Sequence, residues 1–398
     1  MTDATSRRAA RIARPLLGLA VAAALLPVLS QPAAAAPRTV IHGDTVPQVK
    51  DLGPRSFTKR GPYAVGQTTI ALPSNDAPVE VWYPATKKSV QGKRPAAYDL
   101  IDWLPSFYTV PAGAAVTYPS GGVRGVPVAS GRFPLVVFSH GFAGFRDQSS
   151  FLTSWLASWG FVVAAPDHRN RDLTAALAFQ SSSSNADIAD LRETLTLMRT
   201  KTQARASRFH GHVDTTRVGA VGHSAGGSAV ETWAATDKRV TTFVGLAGAS
   251  AGALGDGKGG ARNKVPSQPG LLMAGSSDAV VPPARIAAAY DTLRASKRLV
   301  VVGGGHHAFS DLCEIGAADG GILAIATILK IQVPEQFKRL ASDGCEPPAL
   351  APTKAWPAVR QVTIAYLRRA LGFDRSRAGF RGLKAAFPGV VESSRVVN

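Results

Sequence analysis

Apolar and polar positions alternate between Gly66 and Pro84, with Thr68, Ile70 and Leu72, then Val79, Val81 and Tyr83, spaced by two. The polar stretch Ser74-Asn75-Asp76 separates the two runs. Period two around a turn predicts an antiparallel hairpin. From Phe133 the pattern changes. Pro134–Phe138 and Phe161–Ala165 are short, continuously apolar runs, and Val218–Val221, Val240–Ala247, Gly270–Ala274 and Arg298–Val302 repeat the type. Between them, Phe151, Leu152, Trp155, Leu156 and Trp159 recur at helical spacing, as do Ile188, Leu191, Leu195 and Met198. Pro282–Ala295 reads as a further helix, and Trp356–Leu371 as a last one packed on the sheet. Strands buried on both faces and alternating with helices predict an α/β domain with a mostly parallel sheet.

Other stretches lack a period. Residues 37–62 read as an extended segment, and 85–131 as irregular chain rich in Pro, Gly and Tyr. Ser181–Ser184 and Gly252–Gly260 are low-complexity loops. An insertion over about 312–355 contains the strongly apolar run Gly321–Val333. That run is either a core or lid helix or a lipid-docking segment. The basic tail 372–398 is expected to be at best partly ordered.

Val218–Gly227 carries the first candidate chemistry. A buried strand meets Gly222-His223-Ser224-Ala225-Gly226, and a helix begins at Ala225 with Val230, Glu231 and Trp233 behind it. Strand, sharp turn and helix are the setting of a nucleophile elbow. A Cβ at Gly222 or Gly226 would crowd the neighbouring strand and helix. Without that setting, the motif is equally a plain Gly/Ser turn.

In an open α/β sheet, reactive groups collect at the carboxyl ends of the strands. Ser224, Asp278 and His306 or His307 follow three such strands, in the order serine, acid, histidine. A serine hydroxyl needs an imidazole to take its proton, and the imidazole needs a carboxylate to hold its tautomer. The backbone N–H groups of Phe142, in Ser139-His140-Gly141-Phe142, and of Ala225 are the expected oxyanion donors. His140 and His223 read as structural. His210 and His212 permit a metal by spacing, but they sit in a polar loop. With no H-E-x-x-H and no acidic calcium loop, no metal and no cofactor are expected.

The amino end changes the picture of location. Arg7, Arg8, Arg11 and Arg14 precede the apolar run Leu16–Leu29, and Ala33–Ala36 precedes Pro37. This reads as a signal peptide over 1–36, exported by the general or the twin-arginine route. A membrane anchor is the alternative. Loss of 1–36 removes four arginines and Asp3, leaving about +15 of the formal +18. Such a surface attracts anionic lipid surfaces. The basic residues are scattered without interleaved aromatics, so nucleic acid is not an expected partner. The two cysteines, Cys313 and Cys345, suggest one disulfide in an exported protein, closing a loop worth roughly 3–4 kcal/mol. Two free thiols are the alternative.

Several segments also carry a family resemblance: Gly61-Pro62-Tyr63; Val81-Trp82-Tyr83-Pro84; Phe133–Phe142 with Phe145-Arg146; Val162–Arg169; the elbow; and His306-His307-Ala308-Phe309-Ser310-Asp311. On these residues the chain resembles the alpha/beta hydrolases, and more narrowly the plasma-type platelet-activating-factor acetylhydrolases with their bacterial relatives. The resemblance implies an alpha/beta-hydrolase fold over residues 63–371, with a lid-like insertion after the histidine. It selects His306 over His307, making Ser224 nucleophile, Asp278 orienter and His306 base. It further implies calcium-independent hydrolysis of short or oxidised acyl esters of phospholipids. The Cys313–Cys345 segment and Gly321–Val333 depart from the animal pattern. The leading expectation is therefore a secreted, monomeric serine esterase for a phospholipid with a short acyl chain. The alternatives are a broad lipase or polyester (cutinase-like) hydrolase, and a non-catalytic lipid-binding protein on the same fold. For an open groove, Phe142, Phe145 and Trp155 are candidate walls; Trp155 equally reads as core at helical spacing.

Overall fold

The computed structural model describes residues 46–182, 185–249 and 264–397. The expected signal peptide, the start of the extended segment, and the loop Gly252–Gly260 with Ser183 and Ser184 lie outside the described residues.

The hairpin forms as expected: β1 (Ala64–Ala71) and β2 (Pro78–Ala85) pair antiparallel, with Thr68 opposite Val81. A helical turn, α1 (Lys87–Val90), leads into the excursion that the sequence leaves irregular. It is not wholly so. β3 (Ala97–Asp99) and β4 (Thr117–Pro119) pair with each other, and β5 (Val123–Arg124) joins β1. Strands this short give no readable period.

The repeating unit follows: β6 (Phe133–Ser139), α2 (Ser150–Ser158), β7 (Val162–Pro166), α3 (Leu173–Leu177), α4 (Ala186–Gln203), β8 (Val213–His223), α5 (Ala225–Thr236), β9 (Thr242–Leu246), β10 (Gly270–Gly275), α6 (Pro283–Thr292) and β11 (Lys297–Val302). After β11 come α7 (Gly321–Ile328), α8 (Glu335–Ser342), α9 (Pro352–Ala370), α10 (Leu383–Ala386) and β12 (Val391–Val397). The sheet order is β12-β11-β10-β9-β8-β6-β7-β2-β1-β5. The six strands from β11 to β7 are mutually parallel, and β12 and β2 flank them antiparallel. This is an alpha/beta-hydrolase fold.

Successive residues of a strand point to opposite faces, so the parallel strands feed two cores. Val136, Phe138, Val163, Val221 and Met273 pack with α2 and α9. Leu135, Val137, Val162, Ala220 and Leu272 pack with α4, α5 and α6. A third cluster, Tyr98, Leu100, Trp103, Phe145 and Ile315, joins the 97–118 excursion to the insertion. Its partners leave the carboxyl ends of β6 and β11, where the reactive residues were expected.

One expectation needs correction. The tail is folded among the described residues: Phe387 and Val391 are buried, and β12 pairs with β11 from Lys297 to Val302. Its exposed positions make the sequence look like loose chain, because one face of an edge strand meets solvent. The 46–62 segment is likewise anchored. The Phe57 ring meets Trp159 edge-on at 4.9 Å, and its N–H donates to Gln361 Oε1 at 2.7 Å. Among the described residues, no helix is long and apolar enough to cross a membrane.

Candidate active site

Ser224 sits where β8 ends and α5 begins, at φ +55°. A non-glycine residue at positive φ is strained, and the surroundings hold it there. Its N–H donates to Leu246 O at 2.8 Å. A Cβ at Gly222 would lie 2.2 Å from Gly226 O, and one at Gly226 would lie 2.1 Å from Ser139 O. The elbow is therefore wedged between α5 and the β6 loop, at approaches only glycine allows.

Asp278 and His306 come together from the ends of β10 and β11. His306 Nδ1 lies 2.9 Å from Asp278 Oδ2, and both side chains are buried. The other Asp278 oxygen accepts from the N–H groups of Val280 (2.9 Å) and Val281 (2.7 Å). The carboxylate thus has one oxygen fixed by its own loop and the other given to the imidazole. His306 Nε2 is buried with no hydrogen-bond partner among the described residues. His306 and Ser224 both line one cavity. A buried, unpaired ring nitrogen is costly, and proton transfer with a hydroxyl in that cavity is the chemistry it is free to perform.

The other buried histidines are spoken for. His140 donates from Nδ1 to Gly141 O at 2.7 Å and accepts the His168 N–H on Nε2 at 2.9 Å. His223 accepts from Gln148 Nε2 on Nδ1 at 2.8 Å and reaches the His306 carbonyl with Nε2 at 3.1 Å. His307 Nε2 donates to Leu340 O at 2.7 Å. Burial holds His140 and His223 well below the ordinary histidine range, and brings His307 down to about 3. They act as neutral braces. His212 donates to Gly131 O, far from this centre. No cluster of metal-ligating side chains occurs among the described residues.

The loop after β6 carries Phe142, whose N–H has no hydrogen bond to any described residue. The Ala225 N–H is the first of α5, within the group of four that a helix leaves unpaired. Buried Arg171 holds the loop from behind. It donates to the carbonyls of His140 and Gly141 (2.9 Å for Gly141) and to Ser139 Oγ at 2.9 Å, and it pairs with Asp187 at 3.2 Å. Gln148 ties the loop to the elbow by accepting the Gly141 N–H at 3.1 Å while donating to His223.

Asp311 explains the spacing of the His306–Asp311 segment. Its carboxylate accepts from the Ser150 N–H (2.7 Å) and Oγ (2.6 Å), and from the Phe151 N–H (3.1 Å), capping α2. Burial pushes its pKa up to about 7 against these donors. The cap anchors the histidine loop to the first helix after β6.

A cavity open to solvent runs from Ser224 under the insertion. Leu104, Phe145, Leu177, Ile325, Leu329 and Phe337 are among its walls, and among the described residues no Asp, Glu, Lys or Arg lines it. Gly321–Val333 thus forms neither a sealed core nor a free surface segment. Helix α7 has one buried residue, Ala326, and lies over the cavity as a wall. Phe142 and Phe145 line the cavity. Trp155 does not. Its Nε1 donates to the carbonyls of Phe57 and Lys59, and its ring lies between Arg60 and Arg360. Helical spacing cannot tell which partner a half-buried face will meet. The insertion is closed by a disulfide between Cys313 and Cys345. Reading the sequence missed Arg171, Gln148 and Asp343, whose polar contacts join residues far apart in the chain and leave no local pattern.

The chain is similar to known proteins over part of its length. The family model for platelet-activating factor acetylhydrolase, isoform II, matches residues 124–208. That stretch holds the Phe142 loop and Arg171 and stops short of Ser224. Platelet-activating factor acetylhydrolase of Cavia porcellus is 42% identical over 57 residues, 14% of this chain and 13% of that protein. The protein of the same name from Canis lupus familiaris is 43% identical over 58 residues, 14% and 13%. That from Bos taurus is 40% identical over 52 residues, 13% and 12%. The aligned segments thus span a small fraction of these relatives.

Proposed function

We propose that this protein is a serine hydrolase that cleaves a carboxylic ester of a lipid through an acyl-enzyme. The observation that carries the reading is the Asp278–His306 pair at 2.9 Å, whose Nε2 has no partner among the described residues, with His306 and Ser224 both on the wall of one apolar cavity. Ser224 Oγ attacks the ester carbonyl as its proton passes to His306 Nε2, and Asp278 stabilises the imidazolium. The negative oxygen of the tetrahedral adduct meets the Phe142 and Ala225 N–H groups, a donor of this kind being worth about 3–4 kcal/mol of barrier. The adduct collapses, and the departing alcohol takes the proton from His306. Water then attacks the acyl-serine with His306 as base, releasing the acid and restoring Ser224. The similarity to platelet-activating factor acetylhydrolases supports a phospholipid ester as substrate. Nucleophile, base and oxyanion donors are all protein groups, which supports calcium-independent turnover.

The cavity favours a longer acyl chain than the resemblance implies. An acetyl group would leave most of its apolar wall unfilled, and each buried methylene is worth about 0.8 kcal/mol, roughly fourfold in rate or affinity. With p-nitrophenyl esters, kcat/KM is expected to climb from acetyl towards octanoyl, unchanged by EDTA. A steep preference for acetyl would return the acyl group to a short pocket and give the cavity to the alcohol side. Loss of activity in EDTA would end the metal-free reading.

The surface around the cavity supports work at an anionic lipid surface. Phe107, Phe179 and Ile328 are 64%, 73% and 69% exposed, each on a segment that also supplies cavity walls. Lys330, Lys338 and Arg339 stand on or beside the two insertion helices. Replacing the three apolar residues by serine is expected to weaken sedimentation with phosphatidylglycerol vesicles about tenfold or more, leaving hydrolysis of dissolved p-nitrophenyl butyrate intact. Unchanged sedimentation would sink the docking face. Export remains part of the reading, supported by the Arg-rich, apolar sequence of residues 1–36 and by a disulfide that suits an oxidising compartment. N-terminal sequencing of the exported chain checks it: a start near Pro37 is expected, and retained Met1 would refute it.

A further inference from the structure

Asp343 stands in the turn after α8, more than thirty residues beyond His306, yet it touches both loops of the Asp278–His306 pair. Its Oδ1 accepts the His306 N–H at 2.6 Å, and its Oδ2 accepts the N–H of Ala279, next to Asp278, at 3.1 Å. Its carbonyl accepts the His307 N–H at 3.2 Å. The backbones press together here. A Cβ on Gly305 would lie 2.6 Å from Gly344 Cα and 2.4 Å from Asp343 Oδ1, and Gly344 itself needs φ +83°. Two residues on, Cys345 is bonded to Cys313, itself two residues past the α2 cap Asp311.

From this geometry we propose that Asp343 is a positioning residue that holds the acid and base loops in register, and that the Cys313–Cys345 bond keeps it seated. The insertion then does two things at once. Its helices wall the cavity, and its last turn sets the reacting groups. The proposal rests on Ser224, Asp278 and His306 being the reacting residues. A carboxylate that accepts two N–H groups fixes two backbones in relation to each other. An asparagine has one acceptor oxygen and would turn an NH₂ towards the second N–H; alanine has neither.

The test measures kcat per active site, titrated by the p-nitrophenol burst, on the full chain. Asp343→Asn is expected to lower kcat about 10-fold and Asp343→Ala about 100-fold, the scale set by small misplacements of reacting groups. KM should stay within about twofold, as expected when the lost interaction matters only in the transition state. A merely structural role would reduce the number of titrated sites or the unfolding temperature, leaving kcat per site unchanged, and that result would overturn the proposal. Cys345→Ser should repeat the kcat loss; full turnover in that variant would remove the disulfide from the proposal. If Cys345→Ser does not fold, dithiothreitol-treated wild type, checked for folding by circular dichroism, replaces it. Wild type that a fluorophosphonate fails to label at Ser224 would fail the underlying reading instead, so the two failures are distinguishable.

Discussion

Ser224→Ala is expected to lower ester turnover by about five to six orders of magnitude, the cost of removing the nucleophile from a serine triad. The geometry around the residue makes this a clean experiment. The elbow is shaped by Gly222, Gly226 and the Leu246 carbonyl, none of which the substitution touches. Alanine at φ +55° is no worse placed than serine, whose Cβ bears the same strain. Folding and the cavity wall should therefore persist. Long-chain fatty acid product should still bind, which isothermal calorimetry measures, even though p-nitrophenyl octanoate is no longer cleaved. Turnover above about a hundredth of wild type would remove Ser224 from the mechanism.

The second large effect is expected at Arg171. Its guanidinium is buried and is shared among Asp187, two loop carbonyls and Ser139 Oγ. Its own carbonyl accepts the Ala143 N–H at 2.9 Å, so backbone and side chain grip the same loop. Arg171→Ala leaves a buried carboxylate without its guanidinium. Breaking such a pair costs about 3–5 kcal/mol, and urea unfolding should read a loss of that size. The loop released is the one that carries Phe142. The octanoyl ester should thus turn over about 10- to 100-fold more slowly in the fraction that remains folded. Lysine should not rescue, because one ammonium cannot reproduce a planar fork reaching four acceptors. Stability within about 1 kcal/mol of wild type, on a scale where ordinary surface changes stay near ±0.5, would mean that the loop does not depend on this ion pair.

Much of the architecture was legible because it follows from local periodicity. The apolar runs at Pro134–Phe138, Phe161–Ala165 and Gly270–Ala274 are strands, and Ile188, Leu191, Leu195 and Met198 share a buried helix face. The turn at Gly222–Gly226 announced itself because glycine is required wherever backbones approach this closely. The positions of Asp278 and His306 were legible as residues just past strands. Choosing His306 over His307 needed a family pattern, because two adjacent histidines in a glycine loop are locally equivalent. In the folded chain their surroundings separate them. His306 reaches Asp278, and His307 is turned to Leu340 and Ser310.

The sequence by itself determined the alternation of strands and helices, the elbow, and the order in which Ser224, Asp278 and His306 leave the sheet. These are properties of neighbours within a dozen residues, where backbone sterics and burial period act directly. Only the tertiary structure decided that the tail adds the edge strand β12 beside β11 and that Trp155 faces Arg60 and Arg360 while Phe145 lines the cavity. The same holds for Gly321–Val333 as a wall above Ser224 and for Asp343 bridging Ala279 and His306. Each of these rests on partners tens to hundreds of residues apart. Such a contact depends on where the whole sheet delivers two distant segments, and nothing in the residues beside either partner encodes it.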